Sequence, residues 1–165
     1  MKVSEKENVF KEVMGNYPTG VTIVTARNEE GEPVGLTVNS FASVSLDPLL
    51  VLWSIDHRVS SLEAFKSADH FAIHILSGDQ QDLCKTFASK DTDRFNSCTW
   101  ESSEYNLPVI NDAYAVLQCK TFKQVEAGDH TILIGEVQDI QKSDTKEPMM
   151  YHQRRFGPIP VEFHS

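Results

Sequence analysis

The chain has 165 residues, 40% of them apolar and 24% charged, with a formal net charge of -9 at pH 7. That balance can fill a packed core and excludes wholesale disorder, while the acidic surplus makes nucleic acid a poor partner. Cys84, Cys98 and Cys119 are odd in number and far apart, which argues against a disulfide framework or zinc ribbon and for a reducing compartment, the cytoplasm.

In chain order, the charged start "MKVSEKENVF" lacks the apolar stretch of a secretory signal, and no run is long and apolar enough to cross a bilayer. Ser4 and Glu7 have the spacing of a capping box. Phe10, Val13 and Met14 recur at helical spacing, predicting a short amphipathic helix that ends near Gly15. "GVTIVTAR" (residues 20–27) and "VGLTV" flank the turn-forming "NEEGEP" and predict a hairpin. "LLVLWSI" (residues 49–55) is apolar almost throughout, the pattern of a strand buried on both faces. A short helix capped by Ser60 or Ser61 follows, then the strand "HFAIHIL" and the helix "GDQQDLCKTFASK", with Leu83 and Phe87 on one face. Two long strands, "AYAVLQCKTFKQVEAG" and "HTILIGEVQDIQ", meet at a tight turn around Gly128 and Asp129. Strands outweigh helices and are joined mostly by hairpins. The expectation is a single, mainly β domain over residues 1–165, an antiparallel barrel with a few short flanking helices.

The segment "GLTVNSFASVSLDP" (residues 35–48) is unusually polar for a place between apolar runs. As one extended strand it would put Thr37, Asn39, Phe41, Ser43 and Ser45 on a common face. Small donors and acceptors beside one aromatic ring suit a flat ligand edged with heteroatoms, although a solvated sheet face carries the same pattern. Ser60 and Ser61, with Arg58 close by, precede a helix whose free N–H groups could meet an anion, or could simply be capped. Lys85, Lys90 and Arg94 make a third basic group that surface charge would also explain. His130 follows the tight turn, where an imidazole can face a cleft. His70 and His74 share a strand face but lack a third metal ligand at convincing spacing, so no metal is expected. GxGxxG, GxxxxGK[ST] and a Ser-His-Asp order are all absent.

The strings "YPTGVTIVTA", "GLTVNSFASVSLDPLLVLWSI", "SSLEAFKSADHFAIHIL", "FASKDTDRF", "LPVI", "EAGDHTILIGEV" and "MMYHQRRFG" occur in an order that resembles the flavin reductase family, the reductase-like group of the FMN-binding split-barrel fold. The resemblance covers residues 17–157. It implies a split barrel that uses NADH or NADPH to reduce FMN or FAD, often as the small partner of a two-component monooxygenase, and typically as a homodimer. It places Thr37, Val38, Asn39 and Ser40 beside the isoalloxazine, with Ser43 nearby. Ser54, Ser60 and Ser61 would approach the ribityl chain and phosphate, and Phe87 and Lys90 would line the other side of the flavin. His130 would lie near the nicotinamide and position it without donating a proton, and Arg155 and Phe156 would border the same cleft. The chain departs from the family pattern at Leu49, Asp56 and Val59, at Arg154, where glycine is frequent, and at Phe156, where tyrosine is frequent. The departures at Asp56, Arg154 and Phe156 leave a second reading, a flavin-binding or electron-carrier protein without productive nucleotide turnover, and a third is a β-barrel scaffold without a cofactor.

Overall fold

β-branched and aromatic runs form the strands of this protein, and the polar stretches between them form its turns. The computed structural model describes residues 1–90 and 93–164. Asp91 and Thr92, inside the string "FASKDTDRF", lie outside the described residues, as does Ser165. Helix α1 (Val3–Asn16) and the short strand β1 (Thr19–Gly20) precede the expected hairpin of β2 (Thr22–Arg27) and β3 (Pro33–Val38). Next come β4 (Ala42–Leu46) and β5 (Leu49–Asp56), then α2 (Leu62–Ser67), β6 (His70–Ile75) and α3 (Gln81–Ala88). β7 (Trp100–Ser102) pairs with β8 (Pro108–Ile110), and β9 (Ala115–Ala127) with β10 (His130–Lys142). The chain closes on a small hairpin of β11 (Met149–His152) and β12 (Arg155–Pro158).

The fold is mainly β and antiparallel. Seven strands form one sheet in the order β3-β2-β6-β9-β10-β5-β4. β3 and β4 are therefore opposite edges, yet only Asn39, Ser40 and Phe41 connect them. Seven strands laid flat would span roughly 29 Å, whereas the chain from Val38 to Ala42 reaches about 15 Å at most. The sheet must be rolled until its edges approach.

Rolling creates an inside. Trp53 packs edge-on against Phe65 and Phe71, with ring centroids 5.1 and 6.0 Å apart, and Val24, Val51, Ile55 and Leu133 complete this core. β2 is buried on both faces. Ile23, with Val21 just before the strand, turns instead to a second cluster with Leu76, Phe87 and Met149, against which α3 lies. Gly135 permits the rolled sheet to close over the first core, because a Cβ there would sit 2.5 Å from the Phe71 ring.

Four sequence expectations need correction. Residues 35–45 are not one strand: the backbone breaks at Asn39–Phe41 and β4 bulges between Ser43 and Ser45, so the shared face of Thr37, Asn39, Phe41, Ser43 and Ser45 does not exist. β5 is not buried on both faces but alternates from Val51 onward, with Leu52 and Ser54 half-buried. α1 begins at Val3, and it is Glu5, not Glu7, whose carboxylate reaches back to a backbone N–H, that of Lys2. Ser61 is the N-cap residue of α2, but neither it nor Ser60 makes a side-chain cap bond.

Candidate functional site

The site grows from the line where the rolled sheet's edges meet. Ser40 fastens it: its hydroxyl accepts the Ser54 N–H at 2.9 Å and donates to the Ser54 carbonyl at 3.2 Å. In an antiparallel edge strand, alternate residues turn their backbone groups to opposite sides. The Val38 carbonyl faces β2 and accepts the Thr22 hydroxyl at 2.9 Å. By the same alternation Gly35 and Thr37 face away from β2. Gly35 directs its carbonyl to Arg94 there, and Thr37 turns its N–H to the same side. The Thr37 hydroxyl is engaged separately, donating to the Cys84 carbonyl of α3 at 2.8 Å.

Two cavities flank this edge and meet at Thr37 and Ala88. The first, about 530 Å³, is walled by Val21, Val38, Asn39 and the aromatic pair Tyr151 and Phe156, with Lys85 and Arg154 at its polar side. Tyr151 and Phe156 are opposite each other across β11 and β12, and their rings stack with centroids 6.4 Å apart. Burial pushes the Cys84 thiol up to about 11, so this wall residue stays protonated at neutral pH and offers no nucleophile. The second cavity, about 720 Å³, is lined by Leu36, Phe87, Ser60 and Lys90, with Asp56, Arg58 and Arg94 around them. Both volumes fall in the range of ordinary small-molecule sites.

The charges here are not equally free. Arg94 donates from Nη2 to the Ser89 carbonyl at 2.8 Å and from Nη1 to Gly35, so it ties the end of α3 to β3. Arg58 grips Asp56 through Nη2 at 2.8 Å, and its side-chain and backbone N–H groups hold the Asp56 carboxyl far below the usual carboxylate range. Lys90 has no carboxylate partner among the described residues.

A model of the flavin reductase like domain matches residues 14–160. The chain belongs to the flavin reductase like family. It is 44% identical over 153 residues to the FMN reductase (NADH) SmoA of Agrobacterium fabrum, covering 93% of this chain and 86% of that one. It is 45% identical to the reductase component of the flavin-dependent trigonelline monooxygenase of Acinetobacter baylyi, across 96% of this chain; the chain spans only 51% of that relative's length. Among solved structures, the NADH:FAD oxidoreductase SgcE6 of Streptomyces globisporus, in complex with NAD and FAD fragments, superposes with a TM-score of 0.90 at 34% identity, covering 99% of each chain.

Of the residues the flavin reductase resemblance singled out, Thr37, Val38, Asn39 and Phe156 line the first cavity, and Thr37, Ser60, Phe87 and Lys90 the second. Ser40 and Ser54 are bonded to each other at the junction between the edges. Ser43, Ser61, His130 and Arg155 line neither cavity. His130 begins β10 directly opposite Asp56 of the second cavity, and its Nδ1 lies 2.7 Å from the Asp129 carboxylate. The turn beneath it is propped by His57, whose N–H donates to the Asp129 carbonyl at 2.9 Å and whose Nε2 meets Thr131 and Glu126. Asn39 and Phe41 flank Ser40 at the break in the strand.

A flavin fits this chemistry. Its flat ring needs apolar contact with a donor on one edge, which Leu36, Phe87 and the Thr37 N–H, turned away from β2, supply. Its phosphate needs cations and hydroxyls, which Lys90 and Ser60 supply, and the buried Ser61 hydroxyl next to Ser60 has no partner among the described residues. Tyr151 and Arg154 were not anticipated as site residues. The signal for them was the short hairpin "YHQRRF", whose cross-strand pairing carries two aromatics to one face.

Proposed function

We infer that this chain is an NAD(P)H-dependent flavin reductase that transfers hydride from a nicotinamide to FMN or FAD and supplies the reduced flavin to a partner monooxygenase. The observation that carries this reading is the meeting of two cavities at Thr37 and Ala88, in a chain of the flavin reductase like family. Two ring-bearing ligands must lie face to face for hydride transfer, and adjoining sites bring that about. Bound flavin supplies the hydride acceptor, so no protein acid or base is required for that step.

The protein's part is to bind, orient and exclude water. The Thr37 N–H, with Val38, Asn39, Ser40 and Ser43, is aimed at the polar edge of the ring, where negative charge develops on reduction. Ser54, Ser60, Ser61 and Lys90 take the ribityl and phosphate end, and Phe87 backs it. His130, oriented by Asp129, positions the nicotinamide, and Arg155 and Phe156 border the cleft. The rolled sheet is read as a split barrel. The chain forms a homodimer, a reading supported by α1, none of whose residues is buried. Three unpaired thiols support a cytoplasmic setting.

Initial rates for the four pairings of FMN or FAD with NADH or NADPH test the assignment. At least one pairing should turn over, and His130→Ala should slow it about tenfold or more while leaving the flavin dissociation constant within about threefold. If no pairing consumes nucleotide, the reductase reading falls.

A further inference from the structure

We propose that Arg154 and Lys85 form a phosphate-recognising subsite in the first cavity, which holds a phosphate of the dinucleotide reductant. This rests on the reductase reading above and assigns a role to a residue where the chain departs from the family pattern.

The first observation is backbone geometry. The turn between β11 and β12 consists of Gln153 and Arg154 alone, since His152 pairs with Arg155. Both are left-handed, at φ 53° and 63°. Such two-residue turns favour Asn-Gly, because a Cβ in the left-handed region crowds the following carbonyl. Here two long side chains occupy the turn, and α1 holds it in place. The Gln153 N–H donates to the Gly15 carbonyl at 2.8 Å, and its side-chain amide bonds the Asn16 side chain. The disfavoured turn places Arg154 on the lining of the first cavity.

The second observation is charge. In a protein with a formal net charge of -9, this cavity has, among the described residues, no carboxylate on its lining and two cations, Lys85 and Arg154. Neither makes an ion pair among the described residues. Lys85 Nζ lies 6.0 Å from the Phe156 ring centroid, so it is held over the stacked pair of Phe156 and Tyr151. A guanidinium fork and an ammonium beside a stacking platform match a phosphorylated ring compound. The second cavity has its own cation and hydroxyl for a phosphate, Lys90 and Ser60, so the first falls to the other ligand. The phosphate concerned is either the pyrophosphate common to NADH and NADPH or the additional phosphomonoester of NADPH.

Arg154→Gly is the decisive variant, because glycine adopts the left-handed turn freely and the protein should melt no lower than wild type. With flavin fixed, KM for the reductant should rise about 10- to 100-fold, the loss of one charge-assisted contact, and KM for flavin should hold. A rise for both nucleotides assigns the pyrophosphate, and a rise for NADPH alone assigns the phosphomonoester. Lys85→Met should move the same constant in the same direction by a smaller factor. If no reductant KM moves, or only the flavin KM does, the subsite is refuted. Calorimetric titration with ADP and 2′,5′-ADP separates this from the reductase reading. Binding that Arg154→Gly abolishes, in a protein that oxidises no nucleotide, keeps the subsite and discards the reductase. Turnover with unchanged KM and unchanged ADP binding does the reverse.

Discussion

At the scale of single residues, His74 shows how a side chain can carry a different role from the one its spacing suggests. With His70 it shares a face of β6, which made both candidates for a ligand pair. Instead His70 rests against Tyr105, with ring centroids 5.8 Å apart, and His74 is fully buried with both nitrogens on the backbone. Nδ1–H donates to the Ile23 carbonyl at 3.0 Å, and Nε2 accepts the Ile110 N–H at 2.9 Å. That tautomer must be neutral, and burial lowers the ring from 6.5 to about 4. The unfolded chain then binds the extra proton across that interval, so stability is full above about pH 6.5 and falls as pH drops toward 4. The loss is on the order of 3 kcal/mol. Urea melts from pH 7 to pH 4.5 should show it, and His74→Gln, which keeps a donor and an acceptor but does not titrate, should flatten that part of the profile. An unchanged slope in the variant would remove the role. The polarity of Ser40 was legible in the sequence, but its partner was not, because Ser54 lies fourteen positions away and only the rolled sheet joins them.

Among elements, local signals read well and non-local ones poorly. The hairpins of β2 with β3 and of β9 with β10 follow from alternating β-branched residues around turns such as Gly128, at φ 65°. The short strands β7, β8, β11 and β12 escaped notice because three or four residues carry no period. The break between β3 and β4 escaped because each half alternates acceptably; what decides it is pairing with different neighbours, β2 for one and β5 for the other. Arg94 illustrates the same limit. As a charge near Lys85 and Lys90 it resembled an anion contact, but its guanidinium is a brace between α3 and β3. Arg94→Ala should lower stability by about 2 kcal/mol, as expected for lost charge-assisted bonds to two carbonyls. It should also weaken flavin binding, because both elements wall the second cavity. Arg94→Lys should recover only part of each. Equal melting temperatures for wild type and Arg94→Ala would show that the brace is idle.

For the whole molecule, the apolar face of α1 is the feature that lacks an internal explanation. Its apolar residues at helical spacing were legible, yet Phe10, Val13 and Tyr17 just beyond it stay 64%, 58% and 61% exposed. A surface of this kind is covered in use, and the proposed homodimer would cover it. Sedimentation equilibrium should give twice the chain mass, and Phe10→Glu should shift it toward one chain; a wild-type monomer at tens of micromolar would refute the dimer. The junction at Ser40 has a consequence of its own. In the proposed split barrel the sheet is a hoop, and Asn39, Ser40 and Phe41 are its buckle. Cutting the backbone at Gly128 would leave the hoop fastened, whereas a cut at the buckle would let both rims spring apart and erase the two hollows together.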